Sequence, residues 1–144
     1  MKFSIIKFIT ENKFKKMTIM SYIYSAFFRF QVKYIKPAKL KKYWGIEGKE
    51  SSQDESRENY LFAAHVSQNV QRICSKTSWE SKCLVRALTA QRMLNKKGIP
   101  STMYLGVREE NGKMLAHAWI RVGKLIVTGG DVYKDFTVVD TFYK

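Results

Sequence analysis

The chain has 144 residues, 45% apolar and 14% aromatic, which suffices for one folded core and excludes a disordered chain. A domain of this size buries roughly two-thirds of the surface its unfolded chain exposes, so folding does not depend on disulfides or a metal. The formal net charge of +14 attracts polyanions and acidic surfaces and carries no information about fold.

That charge is uneven: residues 1–50 carry +9 and the remainder +5. The start, MKFSIIKFITENKFKKM, has a short apolar stretch broken by Lys7, with no small-residue cleavage site after it, so it does not read as a secretory signal. The uncharged run at 17–28 has 12 residues, against the roughly 20 that span a bilayer. A cytoplasmic protein is expected. Residues 14–35 read as an amphipathic helix, because Ile19, Ile23, Phe27, Phe30 and Tyr34 recur at steps of three or four. Lys33 and Lys36 suit the negative end of its dipole, and Pro37 limits its extension. Basic and aromatic side chains together also suit a lipid interface; docking onto the rest of the fold is the commoner use of such a helix.

Residues 45–56 (GIEGKESSQDES) are polar, with two glycines and no periodicity, and read as a loop or hinge. A second helix is expected over 57–75, with Leu61, Ala64, His65, Gln68 and Ile73 near one side. His65 reads as structural or surface-exposed, and Cys74 as a small hydrophobe. The third helix runs over 79–97, capped by Ser78 and ended by Gly98 and Pro100. Within it Cys83, Ala87, Ala90 and Leu94 form a buried stripe. The period then changes. Strands are expected at 101–108, 114–122, 124–128 and 136–139, with Asn111-Gly112 as a hairpin turn. Helices followed by an antiparallel meander define an α+β domain.

Two cysteines, Cys74 and Cys83, are too few for a disulfide framework. A structural zinc site would consume both of them together with His65 and His117, the only histidines, so no metal is expected. A reducing compartment is the simplest setting for a free thiol. Cys83 lies within the first turn or so of its helix, where unpaired N–H groups favour a thiolate and can bind a negative substrate atom; Lys82 adds a positive neighbour. A cysteine at such a position is more often inert packing. His117 changes the balance: it sits mid-strand between Ala116 and Ala118 and shares a face with Trp119. A sheet laid across the helix start brings its imidazole to the sulfur as a base. The group that holds the other ring nitrogen is read as Asp131, with Asp135 and Asp140 as fallbacks; ordinary loop carboxylates are the alternative.

The segment CLVRALTAQRMLNKKGIPSTMYLGVR at 83–108, followed by AHAWI at 116–120 and IVTGG at 126–130, resembles the transglutaminase-like leader peptidases of lasso-peptide biosynthesis. The resemblance covers about residues 60–144. It implies a papain/transglutaminase-like α+β fold, with helices packed against a small antiparallel sheet. The cysteine peptidase domain would occupy 51–144, preceded by a basic helical region over 1–50. Cys83 matches the family nucleophile and His117 its histidine. Members place their acidic residue at the end of the strand after HAW, where this chain reads VTGG at 127–130; Asp131 needs a small shift, or a Cys–His dyad suffices. Members also have Glu where this chain has Arg121, which is expected to point away from His117 as a surface charge.

The activity implied is removal of the leader from a ribosomally made precursor, without a cofactor. Helix-start N–H groups, joined by Gln71 or Ser78, would hold the oxyanion. The short, split type acts with a separate leader-binding protein and in association with an ATP-dependent lasso cyclase. Two alternatives stay open. One is another transglutaminase-like amide hydrolase or acyltransferase. The other is a non-catalytic basic binding module. No nucleic-acid partner is expected, because no helix-turn-helix, zinc finger or RNA-binding aromatic pair is present.

Overall fold

The computed structural model describes residues 15–77 and 82–144. Its first helix, α1 (Lys15–Tyr34), has nearly the bounds that periodicity gives. The face it buries is a different one. Ile19, Ile23, Phe27, Phe30 and Tyr34 are 47–64% exposed, whereas Thr18, Ser21 and Ser25 are buried. Met17, Met20, Tyr24, Phe28 and Val32 flank that inner side and pack partly against the core. The helix therefore carries apolar residues on two sides, and the side with small residues allows the closer approach to its neighbours. Polar atoms on this inner side find partners. Thr18 Oγ1 donates to Asn69 Oδ1 at 3.2 Å, and Arg72 Nη2 donates to both, at 3.2 and 3.0 Å.

Beyond Lys36 the chain makes a short helix, α2 (Pro37–Leu40), and a 3-10 turn (Lys41–Tyr43). Trp44 follows, buried edge-on against Phe142 with ring centroids 5.4 Å apart. The 45–56 segment is not wholly loop. It contains β1 (Ile46–Glu47), which pairs with the last strand. Helix α3 (Arg57–Cys74) starts at Ser56, whose side chain accepts a hydrogen bond from the Asn59 N–H. Its buried face is Ala63, Val66, Val70, Ile73 and Cys74, rotated from the expected one; Leu61 and Gln68 are exposed. Cys74 is packed as a small hydrophobe, and His65 is half-buried.

Helix α4 (Cys83–Lys96) has Lys82 at its cap position, so Cys83 is its first residue. Ser78 and residues 79–81, expected to open this helix, lie outside the described residues. Ala87, Ala90 and Leu94 are fully buried along the expected stripe and Cys83 is half-buried at its start. Gly98 follows with φ of 78°, the left-handed conformation that ends helices.

The sheet comprises β1, β2 (Thr102–Glu110), β3 (Lys113–Val122), β4 (Leu125–Thr128) and β5 (Thr137–Tyr143), in the order β1-β5-β2-β3-β4. All its pairings are antiparallel. Asn111 and Gly112 both have positive φ, 52° and 77°, as a tight two-residue hairpin requires. The last strand runs longer than expected and leaves the meander, crossing to lie between β1 and β2. The fold is α+β. Ala118, Ile120, Val122 and Val127 join the buried cluster beneath α3 and α4, and α1 packs on those two helices.

Candidate active site

A cleft of about 730 Å³ opens where the start of α4 meets the end of β4. Gln71 of α3 and Lys82, Cys83 and Arg86 line one wall; His117, Ile126, Thr128, Gly129, Gly130 and Asp131 line the other. Three residues singled out in the sequence, Cys83, His117 and Asp131, thus share one cavity. Cys83 stands where the first N–H groups of α4 have no intrahelical acceptor. Lys82 and Arg86 place cationic side chains on the same wall.

The opposite wall is set by His117. The β3–β4 pairing ends at Ile120 and Thr128, so β3 is uncovered at His117. Its Nε2 lies 3.0 Å from the Gly129 carbonyl oxygen. A carbonyl only accepts, so Nε2 carries the proton, and in the neutral ring Nδ1 keeps the lone pair. The imidazole is also held by rings: Trp119 stacks on it at 5.6 Å and Phe136 lies at 5.0 Å. Tyr104 stacks on the other end of this series, 5.4 Å from Trp119.

Two glycines make this arrangement possible. Gly106 pairs with His117 across the β2–β3 ladder, and a Cβ there would lie 2.8 Å from Trp119 ring atoms and 2.9 Å from Phe136. Its missing side chain is the space the indole occupies. Gly129 has φ of 71°, and a Cβ would come within 2.7 Å of His117 Nε2. A side chain at this position would crowd the imidazole, the Ala118 carbonyl and the Trp119 Cβ. Neither glycine's role was anticipated, although a glycine inside a strand pattern is a signal of close approach.

The carboxylates considered for the third position differ in their surroundings. Asp131 is at the cleft but exposed, with no hydrogen bond or ion pair to a described residue. Asp135 is 3.5 Å from Arg108, and Asp140 accepts from Lys41 at 2.9 Å. The hydrogen bond recorded for the imidazole goes to the main chain. Arg121 also differs from expectation. It is 6% exposed and shares the His117–Trp119 side of β3, because positions two apart face the same way. Its guanidinium donates to Tyr104 Oη at 2.8 Å and to the carbonyls of Ser51, Ser52 and Gly123. It ties the 51–52 segment to the sheet. Burial raises the Tyr104 phenol above its ordinary value, against the opposing pull of the Arg121 bond.

Among the described residues, Thr128 Oγ1, buried in the cleft wall, has no hydrogen-bond partner. Among the described residues, no three His, Cys, Asp or Glu side chains converge as metal ligands. A family model described as the transglutaminase-like superfamily matches residues 28–141. The chain belongs to that superfamily. No curated protein and no solved structure matches it. In this transglutaminase-like chain the matched region holds both walls of the cleft. Among the described residues, no helix is long and apolar enough to cross a membrane.

Proposed function

We propose that this chain is a cysteine peptidase, with Cys83 as nucleophile and His117 as base, that removes the leader from a lasso-peptide precursor. The observation that carries this reading is the shared cleft: a cysteine at a helix's first residue faces a wall holding a histidine whose Nε2 is already committed to a carbonyl. Nδ1 is then the nitrogen free to take the thiol proton. The leader-peptidase specificity rests on the resemblance of the 83–130 segment, within a superfamily match that is itself broader.

The steps follow from these roles. His117 Nδ1 takes the Cys83 proton, and the sulfur attacks the last leader carbonyl, forming a C–S bond and an oxyanion. Helix-start N–H groups and the Gln71 side-chain amide stabilise that oxygen. The imidazolium gives its proton to the departing core amine as the C–N bond breaks. Water, deprotonated by His117, then attacks the thioester; the C–S bond breaks and the leader acid leaves. The Gly129 carbonyl keeps Nε2 protonated and the ring in place, the role a carboxylate fills in a triad. Residues 51–144 carry this chemistry, in a reducing cytoplasmic setting. A separate leader-binding protein delivers the precursor, and an ATP-dependent cyclase takes the released core.

Mass spectrometry of a precursor co-expressed with the enzyme and its leader-binding partner tests both site and substrate. The expected result is leader release that is lost with Cys83→Ala or His117→Ala and kept with Cys74→Ala. Adding a free amine separates hydrolysis from transfer. An amine-linked leader as the main product would replace the peptidase reading with acyl transfer. Leader release that continued without the Cys83 sulfur would end both.

A further inference from the structure

The outer face of α1 carries five exposed large apolar side chains. Ile19, Ile23, Phe27, Phe30 and Tyr34, each 47–64% exposed, form a stripe about 22 Å long at 1.5 Å per residue. Soluble surfaces expose single apolar residues freely, but a continuous stripe of this length marks a contact. Residues 15–46 contain eight basic side chains and no acidic one. Beside the stripe a groove of about 800 Å³ runs between α1 and the α2 region, with Ile23, Phe27, Ile35 and Leu40 among its apolar walls. Lys39, Lys42, Arg92 and Lys144 also line it, and among the described residues no Asp or Glu does. Burial, and secondarily the nearby Arg92 charge, lower the Lys144 ammonium from its ordinary value. An anion in the groove would relieve that repulsion.

We infer that the α1 face and its cationic groove bind the surface of an anionic phospholipid bilayer. Apolar side chains with aromatic rings enter the headgroup–acyl boundary, and lysines meet the lipid phosphates. The helix docks to the protein through Thr18, Ser21 and Ser25, so lipid contact needs no rearrangement of the fold. An acidic protein would match the charge as well. The stripe itself, however, offers aliphatic and aromatic groups along a convex helix, with the Tyr34 hydroxyl as its one polar atom, which suits lipid better than a polar protein surface. This inference does not depend on the proposed peptidase activity.

Flotation of the full chain with vesicles of equal parts phosphatidylglycerol and phosphatidylcholine tests it. The chain should float with these vesicles, release in high salt, and not float with pure phosphatidylcholine. Phe27→Ser combined with Phe30→Ser should weaken partitioning more than about tenfold. Lys39→Glu combined with Lys42→Glu should do so by a similar factor. Both variants alter exposed side chains and should keep the far-ultraviolet circular dichroism of the parent. Absence of flotation at low ionic strength, or equal flotation of all variants, overturns the proposal. A dimer in light scattering that Phe27→Ser with Phe30→Ser dissociates, without vesicle binding, assigns the face to a second copy and overturns it too.

Discussion

The two walls of the cleft are built by different means. Cys83 owes its position to one local feature, the first residue of α4, and its surroundings to main-chain N–H groups that any helix start supplies. His117 owes its position to groups far apart in sequence: the Gly129 carbonyl, the Trp119 and Phe136 rings, and the absence of a side chain at Gly106. The helix wall is therefore tolerant except at the sulfur and at the Gln71 amide, whereas the sheet wall is sensitive at residues that touch no substrate.

Substitutions sharpen this contrast. Cys83→Ala should lower leader cleavage by roughly 10⁴-fold or more, with the melting temperature unchanged within a few degrees. Gly129→Ala should cost about 10²-fold in kcat, because a displaced base is poorly placed for proton transfer. An NMR shift of the His117 ring protons would report the displacement itself. Gly106→Ala acts one step further back, through Trp119. Loss of activity from it should accompany weaker near-ultraviolet dichroism of the aromatic stack. Arg121→Ala strands the carbonyls of Ser51, Ser52 and Gly123, and should cost about 2–4 kcal/mol in denaturant unfolding. Asp131→Ala is the smallest expected effect, within about threefold. A carboxylate that held the imidazole would cost roughly 10⁴-fold on removal, so a loss of that size would return the orienting role to Asp131.

The same contrast explains what the sequence disclosed. Period and punctuation read well wherever one face of an element is apolar. The α4 stripe, the Asn111-Gly112 turn and the three strands of the meander all lie close to their expected places. They failed where an element has apolar residues on more than one side. In α1 the stripe of Ile19, Ile23, Phe27, Phe30 and Tyr34 is exposed while Thr18, Ser21 and Ser25, flanked by Met17, Met20, Tyr24, Phe28 and Val32, face the core. In α3 Ala63, Val66 and Val70 are buried beside the expected Ile73, while Leu61 and Gln68 are exposed. The crossing of β5 to the far side of β2 is a tertiary choice that no local pattern encodes. At the cleft, Cys83 and His117 were conspicuous as residue types. The carbonyl bonded to His117 was not, since nearly every residue carries one. Arg121 was misplaced for a simpler reason: alternation along β3 puts it on the same side as His117.

The most direct test of the Cys83–His117 pair is the rate at which a thiol-selective electrophile labels each cysteine, read by mass spectrometry on the folded chain. Rapid labelling of Cys83 over buried Cys74, falling by at least about tenfold in a folded His117→Ala variant, is the expected result. Slow labelling of Cys83 at a rate unaffected by His117→Ala would contradict a proton shared between the two walls.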